Sequence, residues 1–238
     1  MSMLTMLALI LSASICFFIP LGSLAYFVAK DKRLIKSFLI GMIIFFITQV
    51  VIRIPIINLI LPNMDWYLNM SSNPWMYSIF LALTAGLVEE IGRYMAFKYL
   101  LKNNRTYRDG IACGLGHGGI EAILITGISC VTVLIGSLIG NDIFMNISPL
   151  EAFAAGFERL CAMVIQIGLS MIVLYGVRQK SIKYLFLAIF VHTLINLPLI
   201  MLLKWGIVAV EVYVFIWAII LGIFTVYSKK IYNNQKLN

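Results

Sequence analysis

The sequence has little charge and almost no histidine. Only 12% of its 238 residues are Asp, Glu, Lys or Arg, and His117 and His192 are its two histidines. A soluble domain of this length would carry about 25% charged residues. This shortage excludes an ordinary water-soluble globular protein. The few charges that are present therefore carry most of the functional information.

Cysteine is also sparse and has no motif spacing. Cys16, Cys113, Cys130 and Cys161 lie in apolar segments without a CxxC pair. Neither a disulfide framework nor a zinc knuckle is indicated, so we interpret these residues as small packing side chains. The first apolar run lacks a basic n-region and an A-x-A-like site. We therefore expect a retained membrane span there, not a cleaved signal peptide.

Long apolar runs recur along the whole chain, which is 62% hydrophobic and has a mean hydropathy of +0.99. Continuous runs of about 20 residues suit transmembrane helices, whereas barrel strands alternate apolar and polar residues. We predict an all-α, polytopic membrane protein that forms a single integral-membrane domain with seven transmembrane helices. The predicted spans are residues 4–29, 37–60, 76–101, 109–139, 150–177, 184–203 and 206–228.

The basic residues are distributed unevenly between the connections. The ends of spans one, three and five and the connections after them hold 4, 4 and 3 basic residues, and the tail after span seven holds 3, Lys236 included. Together these are 14 of the 18 basic residues. The opposite connections hold only Lys204, and the one after span four has Asp142 and no basic residue. The positive-inside rule therefore places the N-terminus outside and the C-terminus in the cytoplasm, in what we expect to be a bacterial plasma membrane. Charges placed this way do not indicate nucleic-acid binding, despite the net charge of +8.

Ionisable and polar residues also occur inside three predicted spans. A charged side chain near the bilayer centre costs about 2.5 kcal/mol or more, so it usually faces a protein interior or a wet cavity with a function. At 1.5 Å per residue, the groups lie at similar depths, roughly 13–20 Å from the cytoplasmic ends of their spans. We predict a buried polar site near the midplane. Its residues are Glu89, Glu90 and Arg93 of span three, His117 and Glu121 of span four, and His192 and Asn196 of span six.

The spacing of these residues indicates hydrolytic chemistry. Arg93 lies four residues after Glu89 and three after Glu90, so it can neutralise either carboxylate. Adjacent helical side chains point about 100° apart, so the two glutamates should have different tasks, one structural and the other as general base. His117, His192 and Asn196 would then face the developing oxyanion.

The same groups are also suited to a metal ion. Two histidines and one carboxylate form the usual catalytic zinc set, with a position left for water. The candidate ligands are Glu90, His117, Glu121 and His192. Because there is no HExxH motif, local spacing does not specify Zn²⁺. Glu121, four residues after His117, would either bind the metal or orient the imidazole.

Two further polar groups lie in spans two and five. They are Gln49 with Arg53, and Glu158 with Arg159. Because intramembrane charges generally pair with one another, we interpret them as a buried network that fixes helix packing. The alternative is that Arg53 binds the backbone or a carboxylate of a substrate. The glycines of span four indicate close helix approach or a locally broken helix.

Three segments resemble the motifs of a known protein family. EEIGR at 89–93, GLGHGGIE at 114–121 and HTLIN at 192–196 are similar to EExxxR, FxxxH and HxxxN/D of the CPBP, or Abi, intramembrane proteases, relatives of the CAAX-processing endopeptidase. The arginine comes one residue early, and Cys113 stands where that pattern has phenylalanine. The closer resemblance is to the YhfC family of membrane peptidases, and it includes residues 49–55 and 157–159. That family often has a histidine near position 166, and the Gln166 found here argues against a catalytic role for this position.

The resemblance implies a glutamic-type or metal-assisted intramembrane endopeptidase, which acts near the cytoplasmic half or the midplane of the lipid bilayer. Glu89 or Glu90 would activate water, with His117, His192 and Asn196 around the scissile carbonyl of a membrane-associated peptide or protein. The residues alone leave two alternatives open. One is an ion-coupled transporter, because acid and histidine chains also relay protons. The other is a non-catalytic scaffold that binds a membrane partner.

Overall fold

The computed structural model describes residues 1–140 and 147–234, and all regular structure in these ranges is helical. Asp142 and Lys236, which entered the charge distribution above, lie outside the described residues. The prediction of an all-α fold is confirmed. The helices are α1 Met3–Lys30, α2 Arg33–Phe45, α3 Asp65–Ser71, α4 Pro74–Met95, α5 Tyr107–Glu121, α6 Ile128–Leu138, α7 Pro149–Arg178, α8 Lys183–Asn196, α9 Leu199–Leu202 and α10 Ile207–Asn234.

Six helical runs in the described ranges are long and apolar enough to cross a membrane, so the protein is a multi-pass membrane protein. They are Met3–Lys30, Arg33–Asn63, Tyr107–Leu138, Pro149–Arg178, Lys183–Trp205 and Ile207–Tyr232. Helix α4, which carries Glu89, Glu90 and Arg93, is not one of the six. The seventh span and the orientation of the termini therefore stay predictions.

Several of the long helices continue through π-helical turns. These turns are Phe46–Arg53 and Ile56–Ile60 after α2, Ala96–Leu100 after α4, and Ala122–Gly127 after α5. A π-helical turn accommodates an extra residue, and such turns are frequent at functional sites. Here one of them carries Gln49 and Arg53, and another begins directly after Glu121.

Helix α7 lies at the centre of the bundle. In its most apolar stretch 72% of the residues are buried, against at most 28% in the other five membrane-length runs. Helices α1, α5, α8 and α10 all pack against it. Its start is fixed by a capping box, in which Ser148 and Glu151 each accept a backbone N–H bond from the other. Thr106 and Asp109 form the same motif at the start of α5, and such caps satisfy N–H groups that the first turn leaves unpaired.

Glycines allow α5 to approach its neighbours closely. A Cβ atom at Gly116 would lie 2.0 Å from the carbonyl oxygen of Phe38, and one at Gly41 would lie 2.0 Å from that of Cys113. Only hydrogen fits at these two positions between α2 and α5. Gly114 makes a similar approach to Ile167 of α7. Close helix approach, one of the two roles predicted for the span-four glycines, is therefore what the structure has. It brings the middle of α5 into the interior.

Candidate active site

The carboxylate of Glu89 contacts side chains from three other helical segments. Its Oε1 accepts a hydrogen bond from Nε2 of Gln49, in the π-helical turn after α2. Its Oε2 lies 2.9 Å from Nε2 of His117 on α5 and accepts a bond of 3.3 Å from Nε2 of Gln166 on α7. The His117 ring also makes an edge contact with the ring of Phe45, at 5.2 Å between centroids. Glu89 is thus the point at which α2, α4, α5 and α7 converge.

The neighbouring carboxylate of Glu90 has different partners. Nη1 of Arg93 lies 2.6 Å and 2.7 Å from its two oxygens, and Nδ1 of His192 on α8 lies 2.7 Å from Oε1. The side chains of Glu90 and Arg93 are both 0% exposed. The guanidinium neutralises this carboxylate and occupies both of its oxygens. The two adjacent glutamates therefore face different helices and have different surroundings.

Gln166 connects the two halves of the cluster. Its amide oxygen accepts a bond from Nη2 of Arg93, while its Nε2 donates to Glu89 and, at 2.9 Å, to Oε2 of Glu121. The ring of His192 also lies between the halves, with its Nε2 4.0 Å from Oε1 of Glu89. The acid, imidazole and amide groups of four helices therefore form one hydrogen-bonded cluster.

Glu89, His117 and Glu121 form a group that fits a divalent cation. Their ligand atoms all lie within 4.8 Å of one another. Nδ1 of His117 is buried and has no hydrogen-bond partner among the described residues. Two carboxylates and one imidazole are donors that divalent transition metals such as zinc accept. The predicted ligand set was Glu90, His117, Glu121 and His192. In the structure Glu90 and His192 bond to each other, and Glu89 joins His117 and Glu121 in the group.

The predicted supporting residues contact the cluster directly or through one another. Glu121 accepts a bond of 2.8 Å from Nη1 of Arg159, whose Nη2 donates to Glu158. On the other side, Nη1 of Arg53 donates to Oε1 of Gln49 at 3.1 Å. Glu121 is thus hydrogen-bonded to Arg159 and Gln166. The described contacts include no hydrogen bond between Glu121 and His117, through which Glu121 could have oriented the imidazole.

Asn196 and Gln166 lie differently with respect to the cluster. Asn196 ends α8 one turn after His192, is partly exposed, and makes no side-chain hydrogen bond within the described ranges. The family resemblance argues against a catalytic role for Gln166, but this side chain lies at the centre of the cluster. One sequence signal could have identified it: at 1.5 Å per residue it lies about 18 Å from the end of α7, in the same layer as the histidines.

Acid and imidazole groups that are buried together inside an all-helical, multi-pass bundle are typical of membrane proteins that have a functional site within the bilayer. The model of a family described as YhfC intramembrane metalloprotease matches residues 15–221, and the chain belongs to this family. The chain is also 31% identical over 249 residues to "Uncharacterized membrane protein YhfC" of Bacillus subtilis (strain 168), with 94% of this chain and 96% of that protein covered. No solved structure matches the chain. The family description supports an intramembrane protease, and the metal that it implies is compatible with the group formed by Glu89, His117 and Glu121.

Proposed function

We propose that the chain is an intramembrane endopeptidase that hydrolyses a peptide bond beside Glu89, His117 and His192. The observation that carries the proposal is the buried Glu89 carboxylate, 2.9 Å from the His117 ring nitrogen and next to a second glutamate that is already neutralised. Membership of the family of intramembrane metalloproteases supports it. The substrate would be a membrane-associated peptide or protein segment.

The partners of the two glutamates suggest how they divide the work. Glu90 is saturated by Arg93 and His192, so it could act as a base only by breaking a buried ion pair. We assign it to neutralising Arg93 and to holding the His192 ring. Among the described residues, Glu89 has the amides of Gln49 and Gln166 and the ring of His117 within hydrogen-bond distance. No arginine neutralises it there, so we assign it to orienting and deprotonating water.

The imidazole of His192 is suited to the oxyanion. Its Nδ1 is held by Glu90, which fixes the ring orientation. We place the attacking water and the scissile carbonyl beside its Nε2, which lies 4.0 Å from Oε1 of Glu89. Because Nδ1–H donates to the Glu90 carboxylate, Nε2 would donate in the imidazolium form, and that donor would stabilise the negative charge that develops on the carbonyl oxygen. We assign Asn196, one turn further along α8, to binding the substrate backbone.

In the metal-assisted form of this site, Glu89, His117 and Glu121 would hold the ion. A bound divalent cation supplies Lewis acidity and lowers the pKa of the water that it binds. The amide of Gln166 and the guanidinium of Arg159 hold Glu121 in place. Partners of this kind commonly orient metal ligands and raise affinity.

The test measures metal and hydrolysis in the same preparations of the full chain in detergent. We expect about one divalent ion per chain in the wild type, by plasma mass spectrometry, and its loss in Glu89→Ala, His117→Ala and Glu121→Ala. His192→Ala should keep the metal and lose cleavage of a membrane-anchored peptide. Glu151→Ala is the matched control, because this exposed carboxylate caps α7 away from the cluster.

Different outcomes separate the alternatives. Undiminished cleavage in both Glu89→Ala and His192→Ala would contradict the peptidase assignment. Cleavage by a folded, metal-free preparation would leave a glutamic-type enzyme with Glu89 as the base. Ion-driven uptake into proteoliposomes that is lost in Glu89→Gln would favour a transporter, and a wild-type phenotype of a Glu89/His117 double variant would favour a scaffold.

A further inference from the structure

The cluster lies closer to one end of the bundle than to the other. At one end of the bundle α1, α7 and α10 end and α2, α5 and α8 begin, and we call it the basic end. The opposite end is called the far end. At 1.5 Å per residue along their helices, Glu89, His117, Gln166 and His192 lie about 13–18 Å from the basic end. Six of the described helical runs are 23 to 32 residues long. The cluster therefore has a longer stretch of bundle on its far side.

Polar contacts continue from the cluster toward the far end along two arms. The first arm runs from Glu89 through Gln49 to Arg53, which also donates to the carbonyl oxygen of Leu81 at 2.7 Å and to Thr84 at 3.2 Å. Arg53 lies about 30 Å from the start of α2, well beyond the cluster. A guanidinium at that depth needs polar neighbours or water, because its burial in hydrocarbon is costly.

The second arm runs along α7 and becomes more accessible with distance from the cluster. It passes from Gln166 to Glu121, then to Arg159 and Glu158, about 28–30 Å from the basic end. The exposed fraction of the carboxylate side chains rises from 6% at Glu89 to 14% at Glu121 and 32% at Glu158. The arm thus links the buried cluster to a partly exposed carboxylate in the far half.

The interior between the cluster and the basic end is tightly filled and mostly apolar, with the buried Ser37–Asp109 hydrogen bond and Ser170 as polar groups within it. Six large side chains there are at most 1% exposed: Phe38, Phe97, Leu101, Leu169, Met171 and Leu174. A surface cavity of about 460 Å³ does open at the basic end, but it is lined by residues between 179 and 187, none of which belongs to the cluster. A packed apolar layer excludes water and ions, as hydrophobic constrictions do in channels.

We infer that water and substrate reach the cluster from the far end, along the arms of Arg53 and Arg159. The positive-inside rule places the far end outside the cell. The substrate class is then a membrane-anchored peptide whose cleaved segment enters from the outer side of the bilayer. A segment presented from the cytoplasm would not reach the cluster by this route. The nature of the substrate rests on the proposed peptidase function, whereas the access route does not.

Cysteine accessibility tests the route in the full chain. The four native cysteines, all buried, are first replaced by alanine. Single cysteines are then introduced as Glu158→Cys and Thr84→Cys on the two arms, and as Ser170→Cys in the buried layer toward the basic end. Exposed controls are Ser72→Cys for the far end and Lys102→Cys for the basic end. A membrane-impermeant maleimide is applied to spheroplasts and to inverted vesicles.

We expect Glu158→Cys and Thr84→Cys to react from the same side as Ser72→Cys, about tenfold faster than from the other side, because a reagent from the basic end would have to cross the packed layer, which opens only by local unfolding. Ser170→Cys should stay unlabelled from both sides. Labelling of both arm positions only from the Lys102→Cys side, or labelling of Ser170→Cys from that side, would overturn the route. The two controls fix the sides independently of the topology prediction.

The peptidase assignment is tested separately by hydrolysis in Glu89→Gln. Far-end labelling with undiminished hydrolysis in this variant would keep the access route and refute the catalytic role. Labelling from the basic end with hydrolysis abolished would keep the peptidase and refute the route. The two inferences therefore fail by different results.

Discussion

The buried ion pair between Glu90 and Arg93 allows the division of roles to be tested through stability. Nη1 of Arg93 lies 2.6 Å and 2.7 Å from the two carboxylate oxygens, and neither side chain is exposed. In Arg93→Met the carboxylate would keep only the contact with His192 at 2.7 Å. Removing one partner of a buried pair costs about 3–5 kcal/mol, which is roughly a hundred- to several-thousand-fold in the unfolding equilibrium.

A second substitution should recover part of that loss. In the double variant Glu90→Gln/Arg93→Met no uncompensated charge remains, and neutral replacements of buried pairs are often close to neutral in stability. We expect the double variant to be more stable than Arg93→Met alone by about 1 kcal/mol or more. Arg33→Met is the control: it also breaks an arginine–carboxylate pair, at 3.2 Å from Asp31, but its side chain is 84% exposed. This control should unfold within about 1 kcal/mol of the wild type, the range of an exposed pair.

Equilibrium unfolding in mixed micelles, followed by tryptophan fluorescence, measures these differences. The reasoning would be refuted if Arg93→Met unfolded within about 1 kcal/mol of the wild type, the range of an exposed pair. It would also be refuted if the double variant were no more stable than the single one. In either case Glu90 would not be a compensated charge, and the assignment of Glu89 as the base would lose its support.

Two further predictions concern packing and pH. In Gly116→Ala the added Cβ would lie 2.0 Å from the carbonyl oxygen of Phe38, so we expect a large loss of folded protein in thermal size-exclusion assays. Gly22→Ala is the control: its Cβ would meet no described atom within 4 Å, so this variant should behave as the wild type. The hydrogen bond from Arg33 holds the pKa of Asp31 below its ordinary value. A carboxylate whose pKa is lowered in the folded state stabilises the fold at pH values above its ordinary pKa of about 3.9, and this stabilisation is lost as the pH falls through the folded-state pKa. The difference in stability between the wild type and Asp31→Asn should therefore vanish in acid. A difference that persists in acid would contradict the prediction.

The class of fold and most of the cluster could be predicted because a membrane leaves few choices. An apolar run of about 20 residues has to be a helix, since a lipid-exposed backbone must satisfy its own hydrogen bonds. Charged groups within such runs have to meet partners, and Glu89, His117, Glu90 and His192 do so in the structure. The depth of each residue along its helix was sufficient to predict that these side chains lie in one layer.

The pairing within that layer could not be predicted. Arg93 is spaced to contact either glutamate, because both i,i+3 and i,i+4 neighbours lie on one face. The choice of Glu90 depends on His192 and Gln166, which come from other helices. Gln49 is a second example: the π-helical turn Phe46–Arg53 departs from the 3.6-residue period, so its direction does not follow from α-helical spacing. Tertiary contacts decide both cases.

The glycines of α5 and the chemistry of the cluster follow from the same local sequence. His117 reaches Oε2 of Glu89 at 2.9 Å only if α5 lies against α2 and α7. Gly116 faces a backbone carbonyl of α2, and Gly114 faces the backbone of α7, with no room for a Cβ at either place. Any larger residue would push α5 outward, and a hydrogen bond weakens steeply when its atoms separate beyond about 3.5 Å. A substitution at either glycine therefore also separates the imidazole from Glu89, so the protein that still folds in Gly116→Ala should have lost metal binding and cleavage as well.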